Sequence, residues 1–383
     1  MAITRPLRGV CIDPGAPAAE YGGDHVESAF KENNGGYPTS IDAAYVMKAI
    51  VQERFGSPGE VLSLEEVDRP TAGDDEVLVR VRAASIHVGD VYMIEGLPNV
   101  MRPAFKALRA KNGVPGTDIS GTVEAVGKNV TRFRTGEAVF GWCKGAFAEF
   151  AATSEDTLAA EPDNLTFQQA SAIGVSAMTA LQALRDHGNV VAGQKVLVVG
   201  AAGGVGTFAV QIAKSLGAEV TGVCSTRNLD LVRSLGADHV IDYTQEDFTQ
   251  CDEKYDLILD NIGNHSLSDT RRPLARHGIL LANGTPIHGW FGGLGHIAKA
   301  MVASLFVKKQ GRPFVSLPTS EDLAALKELA ERGEITPVID RTFPLDAAPE
   351  AIRHVGQRHA QGTTVIAIDQ EEGTTNSPDP TDT

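Results

Sequence analysis

One apolar run leads directly into a glycine-rich turn and then into an amphipathic helix, and this stretch constrains the fold most. It reads "VLVVGAAGGVGTFAVQIAK" (196–214), and Ala201-x-Gly203-x-x-Gly206 matches the dinucleotide-binding fingerprint with alanine in its first place. Gly203 lets the backbone approach a diphosphate, Gly206 lets the helix pack on the strand, and the first amides of the helix face the phosphates. The turn therefore predicts a dinucleotide-binding parallel sheet.

The rest of the sequence divides into two patterns around this turn. After it, the apolar runs "EVTGVC", "DHVIDY", "DLILDNIG" and "GILLANG" alternate with helical segments, as βαβ units require. Before it, from residue 47 to about 155, short strand-like runs alternate with Gly and Pro turns, which is typical of an antiparallel, barrel-like domain. The sequence predicts an α/β protein with a parallel sheet and a second, β-rich domain.

The loop after the second strand indicates which nicotinamide cofactor is used. In this fold an acidic residue about 20 positions after the glycines commonly binds the ribose 2′-hydroxyl, and here Cys224 takes its place. Ser225 and Arg227 follow, and a guanidinium binds a 2′-phosphate well, so NADPH is favoured over NADH. The alternative is that Arg227 is an exposed residue that opens the next helix. Tyr243 either lines the adenosine end of the site or caps the third strand.

Composition limits the compartment and the partners. The chain has 383 residues and a net charge of −15, which opposes nucleic-acid binding and attraction to anionic membranes. No apolar run reaches the roughly 18 residues of a spanning helix. Four widely spaced cysteines without a CxxC pair indicate a reducing compartment, and we expect a cytoplasmic protein. Residues 1–46 are predicted to be a flexible extension, and residues 371–383 a disordered tail.

Several motifs occur in an order known from one large family. The segments "GTDISGTVEAVG", "GAFAEFA", "VLVVGAAGGVG" and "LGADHVIDY" together resemble the medium-chain dehydrogenase/reductase superfamily over residues 47–370, and most of all its zinc-independent quinone oxidoreductase branch. The resemblance implies a GroES-like, β-rich catalytic domain at 47–172 and 319–370. It implies a Rossmann domain, a doubly wound parallel sheet, at 173–318. A cleft between the domains and a homodimer are implied as well.

The resemblance also bears on metal binding. Zinc-dependent alcohol dehydrogenases of this superfamily hold the catalytic metal with a Cys after the "ASI"-like strand, the His of a "GHE" triplet and a later Cys. Here these places carry His87, Gly116-Thr117-Asp118 and Val175. Since a catalytic zinc has three protein ligands and a water, no metal is expected.

Two catalytic candidates follow from the same resemblance. Many zinc-independent relatives carry Asn in place of His87, and in them the Asn side chain points toward the nicotinamide ribose. His87 would bind the ribose or relay a proton, or it packs against the cleft wall without a chemical role. Tyr92 aligns with a tyrosine that lines the cleft in some quinone reductases, where its hydroxyl would polarise a carbonyl or donate a proton. The alternative for Tyr92 is packing.

These interpretations lead to a hypothesis of NADPH-dependent hydride transfer to a small-molecule quinone or α,β-unsaturated carbonyl. One alternative is an NADP-dependent alcohol or carbonyl oxidoreductase. Another is an NADPH-binding protein without enzymatic activity, with a structural or RNA-binding role. The predicted cofactor contacts are Thr179, Gly200, Ala201, Gly203, Gly204, Val205, Gly206, Ser225, Arg227, Tyr243, Asn261 and Asn283.

Overall fold

The computed structural model describes residues 46–110, 112–284, 312–313, 316, 318–358 and 360–368. Apart from Val46, the predicted extension at 1–46 lies outside the described residues, and so does the predicted tail at 371–383. Strands and helices occur where the period-two and βαβ patterns predict them, so the α/β fold class is confirmed.

The described strands fall into one parallel sheet, one mainly antiparallel sheet and one small hairpin-like pair. The strands are β1 (Val46–Gln52), β2 (Leu62–Asp68), β3 (Glu76–Ile86), β4 (Asp118–Val126), β5 (Ala138–Trp142), β6 (Phe150–Ser154), β7 (Leu158–Ala160), β8 (Lys195–Val199), β9 (Glu219–Cys224), β10 (His239–Asp242), β11 (Tyr255–Asp260), β12 (Leu274–Ala282), β13 (Arg312–Pro313), β14 (Ile339–Pro344) and β15 (Thr363–Ala367). The α-helices are α1 (Pro58–Val61), α2 (Val88–Glu95), α3 (Arg102–Leu108), α4 (Phe167–Leu181), α5 (Gly204–Ser215), α6 (Leu229–Ser234), α7 (Leu267–Thr270), α8 (Ser320–Glu331) and α9 (Ala348–Gly356).

The parallel sheet has the strand order β10-β9-β8-β11-β12-β13. Its central strands are short apolar runs, and β8 and β11 are almost entirely buried because a hydrophobic core covers each face, with α4 and α5 in one of them. The chain runs outward from β8 in one direction and returns to pair β11 on its other side. Ligands of doubly wound sheets bind at the carboxyl ends of the strands at this reversal point, so β8 and β11 define the crevice.

The second sheet has the order β14-β15-β3-β4-β5-β7, and β6 pairs with β3. All of its pairings are antiparallel except β14 with β15. The last strand, β15, lies against β3 with Thr364 opposite Ile86. This register brings β15 beside the segment that begins at His87.

Candidate functional site

A cavity of about 440 Å³ is lined by residues from both sheets. Its size suits a bound small molecule. One wall comes from the turn after β8 and from the ends of β11 and β12, and the opposite wall comes from the start of α2 and from the segment around β15. The cavity brings together ten of the predicted site residues: His87, Tyr92, Thr179, Gly200, Gly203, Gly204, Val205, Gly206, Asn261 and Asn283.

The glycine turn presents backbone amides to the cavity. Gly200 has φ +76°, which a residue with a Cβ rarely adopts. Gly203 precedes α5 as its N-cap, and no side chain caps the helix there. A Cβ at Gly206 would lie 2.0 Å from the Gly200 carbonyl oxygen, whereas one at Gly203 would be 3.6 Å from its nearest atom. Gly206 is therefore needed for packing, and the space at Gly203 is open to a ligand near the uncapped amides.

The segment before and within β15 closes the other side of this turn. The backbone N–H of Gly362 donates to the Ala202 carbonyl at 2.8 Å, and this contact joins the two walls. Thr363 and Thr364 line the cavity and are buried, but their hydroxyls have no hydrogen-bond partner among the described residues. A buried polar group without a partner points to a missing ligand or water. A Cβ at Gly204 would lie 3.5 Å from the Thr363 hydroxyl, so this hydroxyl is at the start of α5.

His87 caps the start of α2 and reaches a buried polar cluster. Its Nε2 atom is 2.9 Å from Thr117 Oγ1 and 3.4 Å from Asp90 Oδ2. Burial lowers the pKa of His87, although the nearby Asp118 opposes this effect, and the ring is therefore neutral near pH 7. Burial raises the pKa of Asp90 and of Asp118 to about 7. Each carboxyl group also keeps one oxygen without a partner among the described residues.

Tyr92 lies one turn further along α2 and is held by an arginine from the opposite end of the chain. The Arg358 Nη2 atom donates a hydrogen bond to Tyr92 Oη, and its guanidinium carbon is 5.8 Å from the centre of the Tyr92 ring. Burial raises the pKa of Tyr92, while the charge of Arg358 and its hydrogen bond lower it. Both residues line the cavity.

The nicotinamide-side candidates form a short hydrogen-bonded chain at the strand ends. Asn283 Nδ2 donates to Asn261 Oδ1 at 2.9 Å, and Asn261 Nδ2 donates to the Val199 carbonyl at 3.2 Å. Both asparagines are thereby fixed at the carboxyl ends of β11 and β12. Thr179 lines the cavity from α4.

Four predicted cofactor residues are not among the described residues that line this cavity: Ala201, Ser225, Arg227 and Tyr243. Ala201 is fully buried in the core, and Tyr243 is 59% exposed. Ser225 and Arg227 lie in the loop after β9, where the neighbouring Thr226 hydroxyl donates to Asp242 at 2.5 Å.

Comparison with known proteins identifies the family to which this chain belongs. The model of the alcohol dehydrogenase GroES-like domain matches residues 73–163, and that of zinc-binding dehydrogenases matches residues 235–366. A quinone-oxidoreductase homolog of Spinacia oleracea chloroplasts is 31% identical over 337 residues, covering 85% of this chain and 99% of the spinach protein. The chain belongs to the medium-chain dehydrogenase/reductase superfamily. It lies in the quinone oxidoreductase-like branch and is an oxidoreductase.

Two further relatives extend this medium-chain dehydrogenase/reductase assignment. The mitochondrial NAD(P)H oxidoreductase RTN4IP1 of Bos taurus is 32% identical over 377 residues, covering 86% of this chain and 91% of the bovine protein. The solved quinone oxidoreductase of Coxiella burnetii superposes with a TM-score of 0.74 at 27% identity, covering 85% of this chain and all of that one. The GroES-like and Rossmann architecture is thus confirmed. Within the described residues, no helix is long and apolar enough to cross a membrane.

One of the two family models is that of zinc-binding dehydrogenases. We therefore ask whether the residues at and around His87 could bind a catalytic zinc ion. The described residues contain no group of three His, Cys, Asp or Glu side chains that could hold a metal ion. Val175, at the third ligand position, contributes only a backbone N–H, which donates to Asp118 at 3.0 Å. These residues do not fit a catalytic zinc.

Among the cavity residues that the sequence interpretation missed are Arg358, Thr363 and Thr364. One signal for the threonines was present, since two hydroxyl residues open the otherwise apolar final strand "TTVIA". Arg358 had no such signal, because it follows a surface helix and reaches Tyr92 only through the fold.

Proposed function

We propose that this oxidoreductase transfers a hydride from NADPH to a quinone or an α,β-unsaturated carbonyl without a zinc ion. The observation that carries the proposal is one cavity that joins a phosphate-binding turn to a wall bearing Tyr92 and His87. The names of the spinach and Coxiella relatives support a quinone acceptor, and the name of the bovine relative supports a nicotinamide cofactor.

Three groups of residues would contact the cofactor. The uncapped amides at the start of α5 and the unpartnered Thr363 hydroxyl would hold the diphosphate. Ser225 and Arg227 would hold the 2′-phosphate, and Asn261 and Asn283 would contact the nicotinamide side. When bound, NADPH supplies the hydride.

The opposite wall would stabilise the charge that the acceptor oxygen gains. The Tyr92 hydroxyl donates a hydrogen bond or a proton to that oxygen, and neutral His87 binds the ribose or relays a proton. Without a Lewis acid, the rate depends on positioning and on the acceptor's own electrophilicity. Quinones and enones meet this requirement better than simple ketones do.

NADPH oxidation by chelator-treated protein tests this proposal on a panel of quinones, enones and simple ketones, with NADH in parallel. We expect turnover of quinones or enones without added metal and faster reaction with NADPH than with NADH. A saturated ketone as the enone product would support C=C reduction, whereas an allylic alcohol would favour the alternative carbonyl reductase. Activity that is lost on chelation and returns with Zn²⁺ would contradict the zinc-free reaction.

Two finer expectations belong to the same proposal. The homodimer is tested by the molar mass in solution. The cytoplasmic location is tested by fractionation, since the bovine relative is named mitochondrial and the spinach relative is from chloroplasts.

A further inference from the structure

Arg358 has an unusual position in the cavity. It follows α9 in a left-handed backbone conformation with φ +57°, which costs free energy in a residue other than glycine and is frequent at functional sites. Among the described residues that line the cavity, it is the only Lys, Arg, Asp or Glu. The backbone of α9 thus ends by directing a permanent positive charge into the cleft.

The contact with Tyr92 has a defined direction. Because a guanidinium only donates hydrogen bonds, Tyr92 Oη must accept the bond from Arg358. The Tyr92 O–H hydrogen therefore remains available, and no other hydrogen-bond partner of this hydroxyl occurs among the described residues. It can be donated to an oxygen atom of a molecule in the cavity.

We propose that Arg358 is a positioning residue that holds Tyr92 as the proton donor of the reduction and stabilises the phenolate left behind. The inference rests on the proposed function. The acceptor takes up the hydride that NADPH would supply, which forms a C–H bond at the β-carbon of an enone and places two electrons on the acceptor. The Tyr92 O–H bond breaks, and the proton forms an O–H bond on the acceptor oxygen. The enol formed from an enone then tautomerises to the saturated ketone. The phenolate then recovers a proton from water.

The charges around Tyr92 agree with this role. Burial of the ring raises the pKa of Tyr92 and so opposes loss of the proton. Two charged groups act on the hydroxyl: Arg358, from the turn after α9, lowers the pKa, and Glu95, on α2 itself, raises it. The pKa of Tyr92 stays above its ordinary value, and Arg358 is the group that counteracts burial and Glu95 in part.

Tyrosinate absorbance tests the coupling in the ligand-free protein. The difference between the wild-type protein and Tyr92→Phe isolates Tyr92 from the other five of the six tyrosines. We expect Arg358→Gln to raise the pKa of Tyr92 by about one unit and Arg358→Lys to restore part of that shift. Arg353→Gln is the matched control, because Arg353 is exposed on α9, the helix that Arg358 follows. This change should leave the titration of Tyr92 unchanged.

Kinetics then connect the coupling with turnover. We expect Arg358→Gln to lower kcat about tenfold with little change in KM, and to add no further loss in a Tyr92→Phe background. An unchanged Tyr92 titration in Arg358→Gln, or a rise of KM alone, would overturn the proposal. Because the titration needs neither NADPH nor a substrate, its result is independent of whether quinones or enones are reduced.

Discussion

The two walls of the cleft are built from the chain in different ways. The Rossmann wall lines the cavity with five residues of the short stretch 200–206, and their backbone amides are the proposed phosphate ligands. The opposite wall joins Tyr92 to Arg358, 266 positions later, and acts through side chains. A site that binds its ligand through backbone amides is visible in the sequence as a run of closely spaced glycines. A pair of side chains such as Tyr92 and Arg358 comes together only after the sheets have formed. The predictions below test this contrast.

The largest effect is expected from Gly206→Ala on the Rossmann wall. Its Cβ would lie 2.0 Å from the Gly200 carbonyl oxygen and 2.8 Å from the Ala201 backbone, so the turn must shift. We expect a loss of roughly 3 kcal/mol in the free energy of unfolding, together with loss of NADPH binding. Denaturant unfolding and a binding titration measure both.

Gly203→Ala is the matched control for that change. Its Cβ meets no atom closer than 3.6 Å, so the protein should fold normally. Only the approach of the diphosphate is blocked, and the Kd for NADPH should rise at least about tenfold. Equal destabilisation by both variants would contradict the division of roles between these glycines.

On the opposite wall, Tyr92→Phe removes a hydroxyl that lines the cavity without removing the ring. We expect kcat with a quinone or enone to fall about 10- to 100-fold, with the Kd for NADPH unchanged. The kcat of His87→Gln is measured beside that of Tyr92→Phe, because the larger loss identifies the residue that gives the proton. If His87→Gln lowers kcat as much as Tyr92→Phe, or more, Tyr92 is not the principal donor.

Asp118→Asn tests the buried cluster behind this wall. Burial raises the pKa of Asp118 from 3.8 to about 7, so between these values the folded protein binds more protons than the unfolded chain. The contribution of this group to stability is therefore lost as the pH rises toward 7. As the pH rises from 5 to 8, we expect the free energy of unfolding of Asp118→Asn to increase by about 2 kcal/mol relative to that of the wild-type protein.

Unfolding of both proteins by denaturant across this pH range measures the difference. Asp230→Asn, at a fully exposed carboxylate, is the control and should show no such trend. A difference for Asp118→Asn that stays constant with pH would show that the carboxyl group is not titrating in this window.

The smallest effect is expected at the contact between the walls. Thr363→Val replaces a buried hydroxyl that has no partner among the described residues, so the ligand-free protein should not lose stability. The Kd for NADPH should rise about fivefold because one hydrogen bond to the diphosphate is lost. Thr342→Val, at an exposed position on β14, is the control. An unchanged Kd would remove Thr363 from the cofactor site.

The same contrast explains how much the sequence predicted. The helix "SEDLAALKELAE" lies at Ser320–Glu331 and begins after Thr319, whose side chain accepts from the Asp322 amide. Such local signals depend only on neighbouring residues, so they can be recognised in the sequence without the structure. Arg358 could not be found in this way, because its contact with Tyr92 exists only once the pairing of β15 with β3 has formed. The predicted domain limits and the roles of all the predicted site residues stay predictions.

Isotope transfer shows whether this cleft moves a hydride from NADPH to an acceptor carbon without a metal ion. Chelator-treated protein is incubated with an enone and NADPH deuterated at C4 on each face in turn, and the product is analysed by mass spectrometry and NMR. The account predicts a saturated carbonyl with deuterium at the β-carbon from one face, formed without added metal and at a rate that falls in Tyr92→Phe. Deuterium that never reaches the product, or reaches it only after Zn²⁺ is added, would contradict the account.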